Sequence, residues 1–120
     1  CHTDVEYVVR RVNLIQDQVA TTKIATEDAI IDAINAIKAA AANPNADQAL
    51  LDQARNLHRK AQYMWDFLSA ENSTGFHNPE YALKICAEAT NFARQAQMLA
   101  AQAANDPSLL TTGTYYLTTP

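Results

Sequence analysis

The sequence has few of the residues that interrupt helices. Its 120 residues include only two glycines and four prolines, and chains that turn often need both residue types at their turns. Alanine is abundant, and 48% of the residues are hydrophobic. A chain of this length can form one domain with a real core but not two. We therefore expect a single all-α domain, or a piece of one.

Long hydrophobic runs and positive charge are also scarce. No run of 18 or more apolar residues occurs, so no segment is expected to span a membrane, and no signal peptide is recognisable. The formal net charge is −4, whereas a nucleic-acid partner would require a clustered basic face. We therefore expect no nucleic-acid partner.

Cysteines and catalytic motifs are few. Cys86 lies inside an apolar helical pattern, where a small buried thiol is commoner than a disulfide with the terminal Cys1. The sequence contains no nucleophile with its base, no phosphate-binding glycine loop and no two-histidine zinc helix. His58 stands beside Arg59 and Lys60, which favours an exposed face. A self-contained enzyme is not visible in these residues.

The first predicted helix is unusually long. Residues 3–42 contain no strong helix breaker, so one helix of about 38 residues can form there and would measure about 57 Å, against a diameter of roughly 30 Å for a compact domain of this size. Its first apolar stripe steps by four and three residues. That spacing is typical of packing against a partner helix, such as a second copy, although it also suits a core-facing helix. The stripe comprises Val8, Val12, Ile15 and Val19.

Two further helices follow short breaks. Pro44 and its flanking asparagines end the first helix, and a second helix is predicted for residues 46–71. Asn78, Pro79 and an acid in the first turn mark the start of a third helix, which ends near residues 105–107. These elements predict a three-helix antiparallel hairpin bundle with a very long first helix. Its predicted inner positions are Ile30, Ile34, Ile37, Ala41, Leu50, Ala54, Leu57, Ala61, Met64, Leu68, Ala82, Ile85, Ala89, Phe92, Ala96, Leu99 and Ala103.

The C-terminal residues differ in kind from the helices. Threonine, tyrosine and leucine dominate the end of the chain, and no helical stripe continues there. We therefore divide the chain into a helical domain, residues 1–105, and a tail, residues 106–120. The tail is predicted to be either extended and packed on a partner or disordered.

Two histidines are candidate iron ligands. Cys1 and His2 could be the last two residues of a Cys-x-x-Cys-His haem attachment motif, of which the first half is missing. His77 precedes the predicted cap of the third helix, so its side chain is restrained as a ligand's must be. A histidine that only caps or hydrogen-bonds the turn is the alternative.

These residues together carry a resemblance to a known family. Cys1 and His2 are followed by a long helix, by residues 61–67 (AQYMWDF), by residues 71–79 (ENSTGFHNP) and by an alanine-rich last helix. Over residues 1–105 this order resembles the C-terminal region of the ammonia-forming pentahaem cytochrome c nitrite reductases, which are multihaem cytochromes c. Octahaem cytochromes that reduce nitrite or tetrathionate, or oxidise hydroxylamine, share a similar helical end and stay open as parents.

The resemblance implies roles for particular residues. Cys1 would be the second thioether cysteine of the last haem c, His2 its proximal iron ligand, and His77 the distal ligand of a neighbouring bis-histidine haem. Both haems would transfer electrons. The long first helix would form a homodimer, and an upstream haem domain, fed by a redox electron donor, would carry out the six-electron reduction of nitrite to ammonium.

The same resemblance implies where the remaining functions lie. The family's calcium binds beside the catalytic haem, so a calcium site would belong to the upstream part of the parent. The parent would be periplasmic or otherwise exported, and this chain alone would not be catalytic. Two alternatives stay open, namely a haem-free helical dimerisation module and a lipoprotein adaptor anchored through Cys1.

Overall fold

The computed structural model describes residues 2–70 and 78–115, with the backbone alone for residues 2–4. Over these ranges the chain forms three α-helices and no strand. The helices are α1 (His2–Ala41), α2 (Gln48–Ser69) and α3 (Pro79–Ala104), and a short 3₁₀ helix (Pro107–Leu110) follows. The predicted all-α fold with a very long first helix is confirmed.

The break between α1 and α2 is stabilised by asparagine and aspartate side chains. The Asn43 side chain accepts a hydrogen bond from the Asn45 N–H at 2.9 Å. Asp47 caps α2, because its carboxylate accepts from the backbone N–H groups of Ala49 and Leu50. These local bonds satisfy donors that the helix start leaves unpaired. The second helix therefore begins at the end of this turn.

The third helix begins as the sequence predicts. The Asn78 side chain accepts from the Tyr81 N–H at 3.1 Å, Pro79 occupies the first turn, and Glu80 places a negative charge at the positive end of the helix dipole. At the other end Asn105 adopts a left-handed conformation with φ of 51°, which asparagine tolerates better than most residues. The chain changes direction there.

The bundle is elongated, with α3 at its centre. The described chain measures 67 × 25 × 19 Å. α3 packs extensively against both other helices, whereas α1 and α2 meet over a smaller area. The Asp47 N–H also donates to the Ala103 carbonyl at 2.9 Å, which ties the start of α2 to the end of α3.

Small side chains occupy the centre of the core. In α3 the predicted inner alanines are buried, whereas the predicted Ile85, Phe92 and Leu99 lie at the edges of the buried line and are only partly buried. Helices that approach closely leave room for little more than a Cβ between them, so alanines fill the middle. The predicted inner residue Ala41 is exposed, so that prediction is wrong. The buried line of α3 comprises Ala82, Cys86, Ala89, Ala93, Ala96, Ala100 and Ala103.

One polar contact lies inside this core. Thr26 is fully buried, and its hydroxyl lies 2.9 Å from the Thr90 hydroxyl and 3.0 Å from the Thr22 carbonyl. Cys86, which is adjacent, is a free and buried thiol. Burial raises the pKa of the Cys86 thiol. A protonated, buried thiol of this kind is chemically inert.

The start of the predicted tail folds back onto the helices. After the 3₁₀ helix, residues 111–115 run without helical structure and hydrogen-bond to α1 and α3 of the same chain. The sequence offered a partner molecule or disorder for this segment and did not anticipate packing within the chain. Residues 116–120 lie outside the described residues. The division into residues 1–105 and 106–120 therefore stays a prediction.

Candidate functional site

The predicted haem residues lie at the edges of the described structure. Cys1 and His77 lie outside the described residues, and His2 is described by its backbone alone, as the first residue of α1. Their roles as haem ligands therefore stay predictions. The structure does describe the helix ends to which these residues are joined.

The start of α1 and the start of α3 lie at different levels along the axis of α1. Val19 packs in one buried cluster with Leu68, near the end of α2, and with Ala82, in the first turns of α3. Asn78, one turn before Ala82, therefore lies near this level of α1. From Val19 the helix extends back to His2 for about 25 Å. Allowing one turn of α3 before Ala82, the two attachment points are separated by roughly 20 Å along the helix axis.

The N-terminal part of α1 exposes an apolar stripe. Val5, Val8 and Val9 are more than half exposed, with Val5 at 63% and Val9 at 53%, and Val12 and Ile15 are partly exposed. We call these five residues the apolar stripe. Their spacing places them on one side of the helix. A contiguous exposed apolar surface of this kind typically marks a site where another protein surface packs.

Of the predicted α1 stripe, the last residue alone packs inside the bundle. Val19 is 1% exposed, whereas Val8 is exposed and Val12 and Ile15 are intermediate. The change occurs where α1 meets the ends of α2 and α3. The first part of α1 therefore projects beyond the bundle, as its length predicts.

The prediction for His58 is wrong. Its ring is half-buried, and its Nε2 is buried with no hydrogen-bond partner among the described residues. His58 lies one turn from both Ala54 and Ala61, which belong to the buried face of α2, while Arg59 and Lys60 are exposed. Burial, and secondarily the charge of Arg59, lowers the pKa of His58.

A buried acidic pair in α1 escaped the sequence analysis. Asp28 and Asp32 are 8% and 3% exposed. The Arg94 guanidinium donates to Asp32 Oδ2 at 2.7 Å and to Gln97 Oε1 at 2.9 Å. The available signal was the spacing of two aspartates, one helical turn apart, among the alanines and isoleucines of the second half of α1.

Two other classes of site can be checked in the part of the chain that the structure describes. There, no three His, Cys, Asp or Glu side chains come together as a metal-binding group. None of the described helices combines the length and apolar character needed to cross a membrane. This statement does not cover the predicted haem residues Cys1, His2 and His77, whose side chains are not described.

The fold and the sequence together define the class of protein. The chain is a three-helix bundle with a projecting first helix, and it begins with a cysteine–histidine pair. Its sequence matches the cytochrome c552 family over residues 1–115. The chain therefore belongs to the cytochrome c552 family.

The similar proteins within this class are nitrite reductases. The chain is 37% identical over 109 residues to the cytochrome c nitrite reductase subunit NrfA of Nitratidesulfovibrio vulgaris (strain Hildenborough), covering 86% of this chain and 21% of that protein. It also resembles the solved cytochrome c nitrite reductase from Desulfovibrio desulfuricans ATCC 27774, with a TM-score of 0.82 and 32% identity over 92% of this chain and 25% of that one. That structure is described as a catalytic subunit with two calcium sites.

The comparisons confirm the predicted resemblance to cytochrome c nitrite reductases. They also set its extent, because the chain spans only 21% and 25% of the lengths of these two relatives. The activity, substrates and partners of a whole nitrite reductase therefore come to this chain as proposals.

Proposed function

We propose that this chain is the helical C-terminal part of a multihaem cytochrome c nitrite reductase, where it supplies haem ligands and dimer contacts for electron transfer. The observation that carries the proposal is the agreement of sequence and fold, with 37% identity to one nitrite reductase and a TM-score of 0.82 to another. Nitrite reduction, calcium binding and the contact with the electron donor would belong to the upstream part. The 120-residue chain alone should not reduce nitrite.

The ligand roles follow from the residue types. Cys1 would form a thioether to haem c, and the imidazoles of His2 and His77 would be axial iron ligands. A haem with two histidine ligands transfers electrons and leaves no iron position open to substrate. The separation of roughly 20 Å between the attachment points is too large for one iron to be bound by both histidines. We therefore assign His2 and His77 to two different haems.

The apolar stripe would form the dimer contact. A helix that projects beyond its own bundle with exposed valines on one side is suited to pack against the same helix of a second copy. Val9→Asp in the full-length parent should convert a dimer to monomers, because it would bury an unpaired charge in the contact. Sedimentation velocity would measure this, with haem content unchanged.

The matched control for the dimer test is Tyr63→Asp. Tyr63 is 72% exposed on α2 and lies away from the apolar stripe, so its charge substitution should leave the dimer intact. A Val9→Asp parent that stays dimeric would refute the dimer contact, and would instead favour the upstream haem domain as the cover of this surface.

The overall proposal is tested on the full-length parent. An intact mass that includes several covalent haems, a reducible Soret band and reduction of nitrite to ammonium are expected. A haem-free parent would overturn the proposal and leave a helical dimerisation module. A lipid-modified Cys1 preceded by a signal peptide would instead establish the lipoprotein adaptor. Periplasmic location or export of the parent is part of the proposal and is checked by cell fractionation.

A further inference from the structure

The C-terminal segment is bound to the bundle through its backbone at every second residue. We call residues 109–115 the strap. The carbonyls of Leu109 and Thr111 accept from Gln97 Nε2 at 3.0 and 2.9 Å. The Gly113 N–H donates to Asp32 Oδ1 at 3.1 Å, and the Tyr115 N–H donates to Asp28 Oδ1 at 3.0 Å. Backbone groups of every second residue thus face α1 and α3, from Leu109 in the 3₁₀ helix through the extended residues 111–115.

The spacing of Asp28 and Asp32 along α1 matches the two-residue spacing of the strap. Asp28 and Asp32 are four residues apart on α1, which separates them by about 6 Å along the helix axis. Residues two apart in an extended chain are separated by about 6.6 Å. The two carboxylates can therefore accept from Gly113 and Tyr115 in register, with the strap running opposite to α1. This match does not depend on the identity of the strap side chains.

Arg94 determines which atoms of the site are left to donate hydrogen bonds and which are left to accept them. A guanidinium only donates hydrogen bonds, and Arg94 donates both to Asp32 and to Gln97 Oε1. With its oxygen so engaged, Gln97 presents its Nε2 donor to the strap carbonyls. Asp28, Asp32 and Gln97 are all more than nine-tenths buried. With the strap in place, each of these buried groups has a hydrogen-bond partner, which avoids the free-energy cost of an unsatisfied buried polar atom.

The side-chain contacts of the strap are fewer and more selective. The Tyr115 hydroxyl donates to Asp32 Oδ1 at 2.5 Å, and this hydrogen bond raises the pKa of Tyr115. A Cβ on Gly113 would lie 2.6 Å from Cζ of the Tyr115 ring, so a larger residue there would require the tyrosine side chain to shift. The Leu109 side chain packs against the buried cluster that contains Ala36. Recognition therefore rests on the backbone, on the Leu109 side chain and on the Tyr115 hydroxyl.

We propose that Asp28, Asp32, Arg94 and Gln97 form a binding site for an extended peptide, and that residues 109–115 of the same chain are its occupant. The site recognises backbone N–H and C=O groups in two-residue register and accepts a hydrogen bond from the hydroxyl of a tyrosine. It fastens the end of the chain across α1 and α3. This proposal concerns the helical bundle alone and does not depend on haem binding.

The first test measures occupancy in the intact 120-residue chain. Amide hydrogen exchange followed by NMR should show the Gly113 and Tyr115 N–H groups protected. Asp32→Ala should lower their protection by about tenfold or more, since hydrogen bonds to charged groups contribute about 1.5–3 kcal/mol. Asp17→Ala, an exposed aspartate of the same helix, should leave the protection unchanged. Unprotected amides in the unaltered chain, or equal protection in Asp32→Ala, would overturn the proposal.

The second test measures the site with a peptide added in trans. Gly113→Pro combined with Tyr115→Pro should displace the strap, because proline lacks the N–H groups that donate to Asp32 and Asp28, and this chain should then bind a fluorescent peptide of residues 106–120. The unaltered chain should bind it at least about tenfold more weakly, since its own strap competes. Asp32→Ala in the displaced chain should abolish binding, as should proline at the glycine of the peptide.

Two outcomes of the peptide experiment contradict the proposal. Absence of binding to the displaced chain, whose circular dichroism still shows a folded helical bundle, would mean that the cluster is not a peptide site. Equal binding with and without Asp32 would mean that the peptide attaches elsewhere. Because the folded state is checked separately, neither outcome can be attributed to unfolding.

Discussion

The two parts of α1 carry apolar side chains at helical spacing in different surroundings. In the bundle part, Ala29, Ala33 and Ala36 are buried against the other helices. In the projecting part, the larger Val5 and Val9 remain exposed. The apolar spacing therefore identifies which side of the helix is apolar. The size of the side chains on that side indicates how closely another helix can pack against it. Within this chain, small residues mark the closely packed part.

The largest expected difference between the two parts is in the free energy of unfolding. Ile30→Ala, in the bundle part of α1, removes a side chain that is 3% exposed and should lower the free energy of unfolding by about 2–5 kcal/mol, through lost burial and a residual cavity. Leu14→Ala in the projecting part, at 66% exposure, should change it by no more than about 0.5 kcal/mol. Urea denaturation of both variants measures this. Equal losses in the free energy of unfolding would show that the two parts of α1 contribute equally to stability.

The next effect tests how closely the bundle helices approach. Ala93→Leu should destabilise the chain by about 1–3 kcal/mol, because the added atoms have no room in the α3 core. The matched substitution Ala87→Leu lies on the exposed side of the same helix and should change stability little. A neutral Ala93→Leu in thermal unfolding would show that the core is looser than the fully buried alanine implies.

The smallest effect is a pH dependence confined to the bundle. Burial lowers the pKa of His58 below its ordinary value of 6.5, so the unfolded chain binds the proton more readily than the folded chain. The His58 contribution is therefore fully present above pH 6.5 and is lost as the pH falls through the folded pKa. His58→Leu should reduce the fall in melting temperature between pH 7.5 and pH 5, relative to the unaltered chain. An identical fall in both would contradict the buried, neutral imidazole.

Local signals explain how much of the fold the sequence predicts. Asn78 and Pro79 start α3 as expected, because a cap depends on atoms within a few residues of each other. The centre of the α3 core was predicted less well. Phe92 and Leu99 are more hydrophobic than the alanines beside them, but the distance between helices decides which residues fit at the centre.

Long-range polar contacts explain what the sequence does not predict. The strap is held by Asp32, which is separated from Gly113 by 81 positions, and no periodic pattern links residues so far apart. Asp28 and Asp32 resemble solvated helix residues until the strap is placed over them. The haem residues are the opposite case. Cys1 and His2 form part of a local motif, so the sequence nominates them although their side chains lie outside the described residues.

In the full-length parent we expect His2 and His77 to bind two different haem irons, and electron paramagnetic resonance would measure this. His2→Ala and His77→Ala should each convert one low-spin haem to another spin state, and the double variant should convert two, with the covalent haem count by mass unchanged. His58→Ala, which alters a half-buried histidine of α2, should leave the low-spin signals unaltered. A double variant that loses only one low-spin haem, or none, would contradict the account.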